Sequence, residues 1–133
     1  MSRMKEIAKK YELTEKDFWE LKRGGRSNWI LTHDGCQKIA YKEGIVFHKP
    51  EADDCVITPQ FVTIIATATL GDRTDWSSGE ANPTNCKMPY MVAMAEKRLK
   101  DRLTLKLINA YEYGIYSEVE ADEFKIKEPK VGL

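Results

Sequence analysis

The chain has few cysteines, few histidines, no net charge and no long apolar run, and each shortage narrows what it does. Cys36, Cys55 and Cys86 are an odd number without close spacing. That argues against a disulfide framework and gives no zinc pattern, so free thiols in a reducing compartment are expected. The two histidines, His33 and His48, lack the helical spacing of a metal-ligand pair. No apolar stretch is long enough to span a bilayer. The first ten residues are charged and lack the apolar core of a signal peptide, so a cytoplasmic protein without membrane contact is expected. Gly24-Gly25 lacks the lysine and threonine of a phosphate-binding loop, and no serine sits in a nucleophile elbow. An enzyme is therefore not expected, nor a cofactor or metal. Twenty-one basic residues balance 21 acidic ones, which counts against a uniformly basic nucleic-acid binder but allows one locally basic face.

At 133 residues one domain is expected, over 1–124, with a loose charged tail over 125–133. Residues 3–10 read as a short helix with Met4, Ile7 and Ala8 on one side. Thr14 is placed to cap a helix from Glu15, with Asp17 at its third position. Leu13 and Phe18 form a hydrophobic staple, Phe18, Trp19 and Leu21 are buried, and Gly24-Gly25 is the stop. After an extended piece over 28–31, Thr32 caps a second helix. Cys36, Ile39 and Ala40 face inward, and Gly44 ends it. Residues 45–48 and 56–57 read as short strands around Pro50.

The clearest strand is 61–70, where apolar residues alternate with threonines at a period of two. Gly71-Asp72 turns it into a polar return strand over 73–81. Gly79 within that strand implies a bulge or a close backbone approach. After a loop over 82–89, a long helix is expected over 90–110. One apolar stripe holds Val92, Ala95, Leu99, Leu103 and Ala110; a second holds Met94, Leu105 and Ile108. Arg98 and Arg102 lie between them. The helix carries Lys97, Arg98, Lys100, Arg102 and Lys106 within about three turns. Ser117 and Glu120 make a capping box for a short last helix. The fold class is α+β: a three-stranded antiparallel β-meander packed by a long helix, with N-terminal helices.

The threonine-rich strand, the segment Trp76-Ser77-Ser78-Gly79-Glu80-Ala81, and the helix opening Ala95-Glu96-Lys97 and continuing through Arg98, Lys100 and Arg102 together resemble the Rad-fifty-two-like single-strand annealing proteins. That superfamily includes the Sak and Erf types of phage recombination protein. The resemblance covers about half the chain, 45–110. The helix departs from the family pattern in having leucines where small residues are frequent. The resemblance implies a β-β-β-α core, assembly into rings or filaments, and annealing of single-stranded DNA without ATP, with a partner nuclease as a further associate. Lys97, Arg98, Lys100, Arg102 and Lys106 would then contact phosphates, with Arg73 beside them and Trp76 as a stacking ring.

Each residue also has a structural reading. Arg98 and Arg102 can form salt bridges, Glu96 can pair with Lys100, Asp101 with Lys97, and Trp76 can be core. An oligonucleotide-binding protein without annealing activity is the first alternative. A protein-interaction domain that docks through the second apolar stripe is another. Glu123-Phe124-Lys125 resembles the end of a metal-dependent nuclease motif, a remoter third.

Overall fold

The computed structural model describes residues 3–84, 90–118 and 120–121. Helix α1 (Arg3–Lys10) buries Met4 and Ile7. Strands β1 (Phe18–Arg23) and β2 (Arg26–Leu31) form an antiparallel hairpin whose closing pair is Arg23 with Arg26. This corrects the helix expected from Glu15. The two turn residues Gly24 and Gly25 have φ of 48° and 82°. Two successive positive φ values make the turn that matches the twist of paired strands, and two glycines adopt it without steric cost. Leu21 is buried while Glu20 and Lys22 are exposed, a strand alternation. Asp17 closes a turn instead of serving a helix: its carboxylate accepts from the Thr14 N–H at 2.8 Å and from Lys38 at 2.7 Å.

Helix α2 (His33–Glu43) follows the sequence expectation. The Thr32 hydroxyl accepts from the Gly35 N–H at 3.1 Å, Gly44 ends the helix, and Cys36, Ile39 and Ala40 are buried. Strands β3 (Val46–Phe47) and β4 (Cys55–Ile57) are joined through a 3-10 turn at Ala52–Asp54. Both pair antiparallel with β5 (Val62–Leu70), at opposite ends of one edge. The other edge of β5 pairs antiparallel with β6 (Arg73–Ala81). The result is a four-stranded sheet.

Helix α3 (Met91–Leu107) crosses one face of that sheet, three residues shorter at its end than expected. A 3-10 turn at Ala110–Tyr113 leads into β7 (Ile115–Ser117), which runs parallel to β2 and completes a second, three-stranded sheet. The chain is thus α+β with two sheets. The second sheet goes beyond the meander expected, and the short strands read at 45–48 and 56–57 both pair with β5. Residues 118, 120 and 121 are helical, and Glu120 accepts from the Ser117 N–H at 3.2 Å, the reciprocal half of the capping box. The tail 125–133, Cys86 and the Glu123-Phe124-Lys125 segment lie outside the described residues.

Helix α3 is the spine. One side packs on the first sheet, where Ala95, Leu99 and Leu103 meet Val62, Ile64, Ala66 and Ala68. An alanine-rich sheet face lets the helix come close. At Gly79 an added Cβ would lie 2.0 Å from the Ala95 carbonyl oxygen, so the glycine marks a close backbone approach. The other side of α3 places Leu105 in a second core with Met4, Ile7, Leu31, Cys36, Ile39 and Ile115. The second apolar stripe is therefore divided. Leu105 and Ile108 are covered by this chain's own α1, α2 and second sheet, and Met94 packs with the first core. That replaces the docking role expected for it. No helix among the described residues is long and apolar enough to cross a membrane.

Candidate functional site

The cations of α3 divide into two sets. Arg98, Arg102 and Lys106 recur every fourth residue and face β6. Among the described residues β6 pairs with β5 alone, so its outer edge presents unpaired carbonyls. Arg98 Nη1 donates to the Glu80 carbonyl at 2.7 Å, Arg102 Nη1 to the Ser78 carbonyl at 2.8 Å, and Lys106 Nζ to the Trp76 carbonyl at 2.7 Å. The register has a geometric cause. Four helical residues rise about 6 Å and two strand residues about 6.7 Å, so a helix antiparallel to a strand keeps one cation opposite every second carbonyl.

Two further bonds complete the seam. Arg102 grips the Glu80 carboxylate with both terminal nitrogens, at 2.9 and 2.8 Å. Arg73 Nη1, at the start of β6, donates to the Leu107 carbonyl at 2.6 Å, and Nη2 to Asn109 Oδ1 at 3.2 Å, capping the end of α3. Of the seven residues singled out from the sequence, Arg73, Arg98, Arg102 and Lys106 are thus brought together along one helix–strand seam. Arg98 is 7% exposed. Trp76 lies on the outer face of the sheet, 58% exposed, with Lys106 Nζ 5.0 Å from its ring centroid.

Lys97 and Lys100 lie on another flank of α3, apart from the seam. There a cleft runs past β3 and α2. One chamber, about 380 Å³, lies between α2 and α3. A second, about 320 Å³, lies between α3 and the edge where β3 joins β5. Phe47 and Lys100 line both. Phe47 pairs with Ala68, whose side of the sheet faces α3, which turns its ring toward the helix. Lys100 Nζ is 5.6 Å from the Phe47 ring centroid and 3.5 Å from Glu96, the pairing expected from the sequence. His48 and Lys49 line the second chamber.

The first chamber has a polar wall. His33, Gln37 and Tyr41 follow each other one turn apart along α2, and Lys100, Asp101 and Thr104 face them from α3. His33 Nδ1 is 2.7 Å from Asp101 Oδ1, so Asp101 pairs with histidine where Lys97 was expected. Burial pushes the Asp101 carboxyl up to about 6, against the opposing pull of His33 and Lys97. Cys36 beneath is buried, and burial with the nearby Asp101 charge raises its thiol well above the usual range. It is a neutral wall rather than a nucleophile. Among the described residues no three of His, Cys, Asp or Glu converge to hold a metal.

Lys97 and Lys100 are legible in the sequence; Phe47, Gln37, Tyr41 and the pairing of His33 with Asp101 are not. The signal was present in part, as the four-residue repeat His33, Gln37, Tyr41 beside the buried stripe of α2. No protein-family model, curated protein or solved structure matches the chain.

Proposed function

We propose that this protein binds single-stranded DNA in the cleft beside α3 and, as an oligomer, promotes pairing of complementary strands without ATP. Its setting would be phage-type or bacterial recombination in the cytoplasm. The observation that carries the reading is the Phe47 cleft, an aromatic ring in a groove with Lys100 above it, Lys49 on one side and His33 on the other. A charged backbone tracks such a groove while its bases meet the aromatic ring, without sequence preference. The β5–β6 hairpin, with β3 and β4 both antiparallel to β5 and α3 across the sheet, supports the resemblance. In this reading Lys97 and Lys100 contact phosphates. Arg73, Arg98, Arg102 and Lys106 instead fix the helix on which those lysines stand.

The outer sheet face supports the oligomer. Val46, Val56, Ile65 and Trp76 are exposed there among Thr63, Thr67, Thr69 and Thr74. Among the described strand residues on that face only Glu80 carries a formal charge, with Lys106 adjacent, which suits a second copy of the chain better than a polyphosphate. Mixing complementary labelled oligonucleotides with the protein in the absence of ATP tests the activity. Faster duplex formation than in buffer is expected. Binding without acceleration would leave an oligonucleotide-binding protein that does not anneal.

A further inference from the structure

The chamber between α2 and α3 has more recognition chemistry than a phosphate track needs. Its floor is apolar, from Cys36, Ala40, Ile45 and Phe47. Above the floor, Gln37 offers an amide donor and acceptor with no hydrogen bond among the described residues, and Asp101 holds His33 by Nδ1, leaving Nε2 for a ligand. Lys100 supplies a cation at the wall shared with the neighbouring chamber. A flat aromatic ligand with a polar edge and an attached anion satisfies all three features. At about 380 Å³ the chamber is in the range of small-ligand sites.

We infer that this chamber takes a single nucleobase, its face against Phe47, its edge read by Gln37 and His33, and its adjoining phosphate met by Lys100. The inference rests on the single-strand reading for its natural source of bases, since a free mononucleotide has the same chemistry. One base held per subunit would set the strand's register and leave the intervening bases exposed for pairing. Tyr41, on the same side of α2 and 88% exposed, lines the rim of the chamber.

Two arms test this and separate the sources. The first measures affinity for a labelled oligonucleotide and for a wholly abasic strand of equal length. The intact strand is expected to bind roughly five- to hundredfold more tightly, the range of one stacked base. Gln37→Ala, at an exposed position where folding is not at stake, and His33→Ala should each shrink that ratio. A ratio that Gln37→Ala and His33→Ala both leave unchanged overturns the base site while the single-strand reading stands. The second arm titrates deoxynucleoside monophosphates, with inorganic phosphate as control, and follows amide shifts by NMR. Shifts around Gln37 and Lys100 with the nucleotide alone support the site even if no strand binds. Equal shifts with phosphate alone, or none with either, overturn it.

Discussion

Arg102 holds the Glu80 carboxylate with two parallel bonds, at 2.8 and 2.9 Å, and its Nε lies 3.7 Å from Glu120. Glu120 in turn accepts from the Tyr111 hydroxyl at 2.8 Å and from the Ser117 hydroxyl. One arginine thus ties the edge of the first sheet, through α3, to the start of the last helical turn. The network is polar and largely buried apart from Glu80, and it links β6 to the helical turn that follows β7.

Arg102→Met is therefore expected to destabilise the fold by about 1–3 kcal/mol, less than a fully buried pair would lose because Glu80 is partly exposed. A double-mutant cycle with Glu80→Gln in urea unfolding should show coupling between the two. Additive effects would contradict the bidentate contact.

Gly79→Ala places a methyl group against the Ala95 carbonyl and the Leu99 N–H, at 2.0 and 2.7 Å. Both are helix backbone, which cannot rotate away. A loss of about 1–3 kcal/mol or more is expected, read as a lowered urea midpoint. Gly71→Ala, at the hairpin turn with φ 63° and open space around it, should cost less. The reverse order would show that α3 does not seat on β6 as described.

Asp101 gives the protein a pH signature. Its carboxyl is raised to about 6 in the fold, and an ordinary carboxyl titrates near 4. Below pH 4 it is neutral in both states. As pH rises from 4 to 6 the unfolded form ionises first, so stability falls through that window, by on the order of 2–3 kcal/mol from this group. Asp101→Asn stays neutral and still accepts from His33. The stability of Asp101→Asn relative to wild type should therefore rise between pH 4 and 7. A pH-independent difference would contradict the buried carboxylate.

Trp76→Ala removes the largest exposed ring on the outer sheet face and the seat of Lys106. If that face joins copies of the chain, sedimentation velocity should show smaller species for Trp76→Ala than for wild type at equal concentration. Unchanged sedimentation of an assembled wild type would place the interface elsewhere.

Much of the fold is written in local signals. Thr32 and Gly44 bracket α2 by capping chemistry, and the alternation of 61–70 with the turn at Gly71 specifies the β5–β6 hairpin. The first hairpin is obscured because Thr14 and Asp17 have the spacing of a helix start, and a glycine pair ends a helix as readily as it turns a hairpin. Strand β7 is three residues long and pairs in parallel with a strand far away in the chain, which no local pattern records. The basic stripe of α3 can be read, but not its direction: Arg98, Arg102 and Lys106 have the same spacing facing water, DNA or a strand edge. The Phe47 cleft depends on how α2, α3 and β3 are placed, which emerges only when both cores have formed.

The α3 flank bearing Lys97 and Lys100 is the surface proposed to bind single strands. Its most direct test is fluorescence anisotropy of a labelled single-stranded oligonucleotide beside the matching duplex, across a salt series, for wild type and for the Lys97→Ala, Lys100→Ala double variant. Single-strand binding that weakens with salt and exceeds duplex binding is expected. In the double variant the log–log salt slope should be shallower by about 0.7 for each phosphate that a lysine no longer neutralises. No single-strand binding at low salt, or an unchanged slope in a folded double variant, would contradict it.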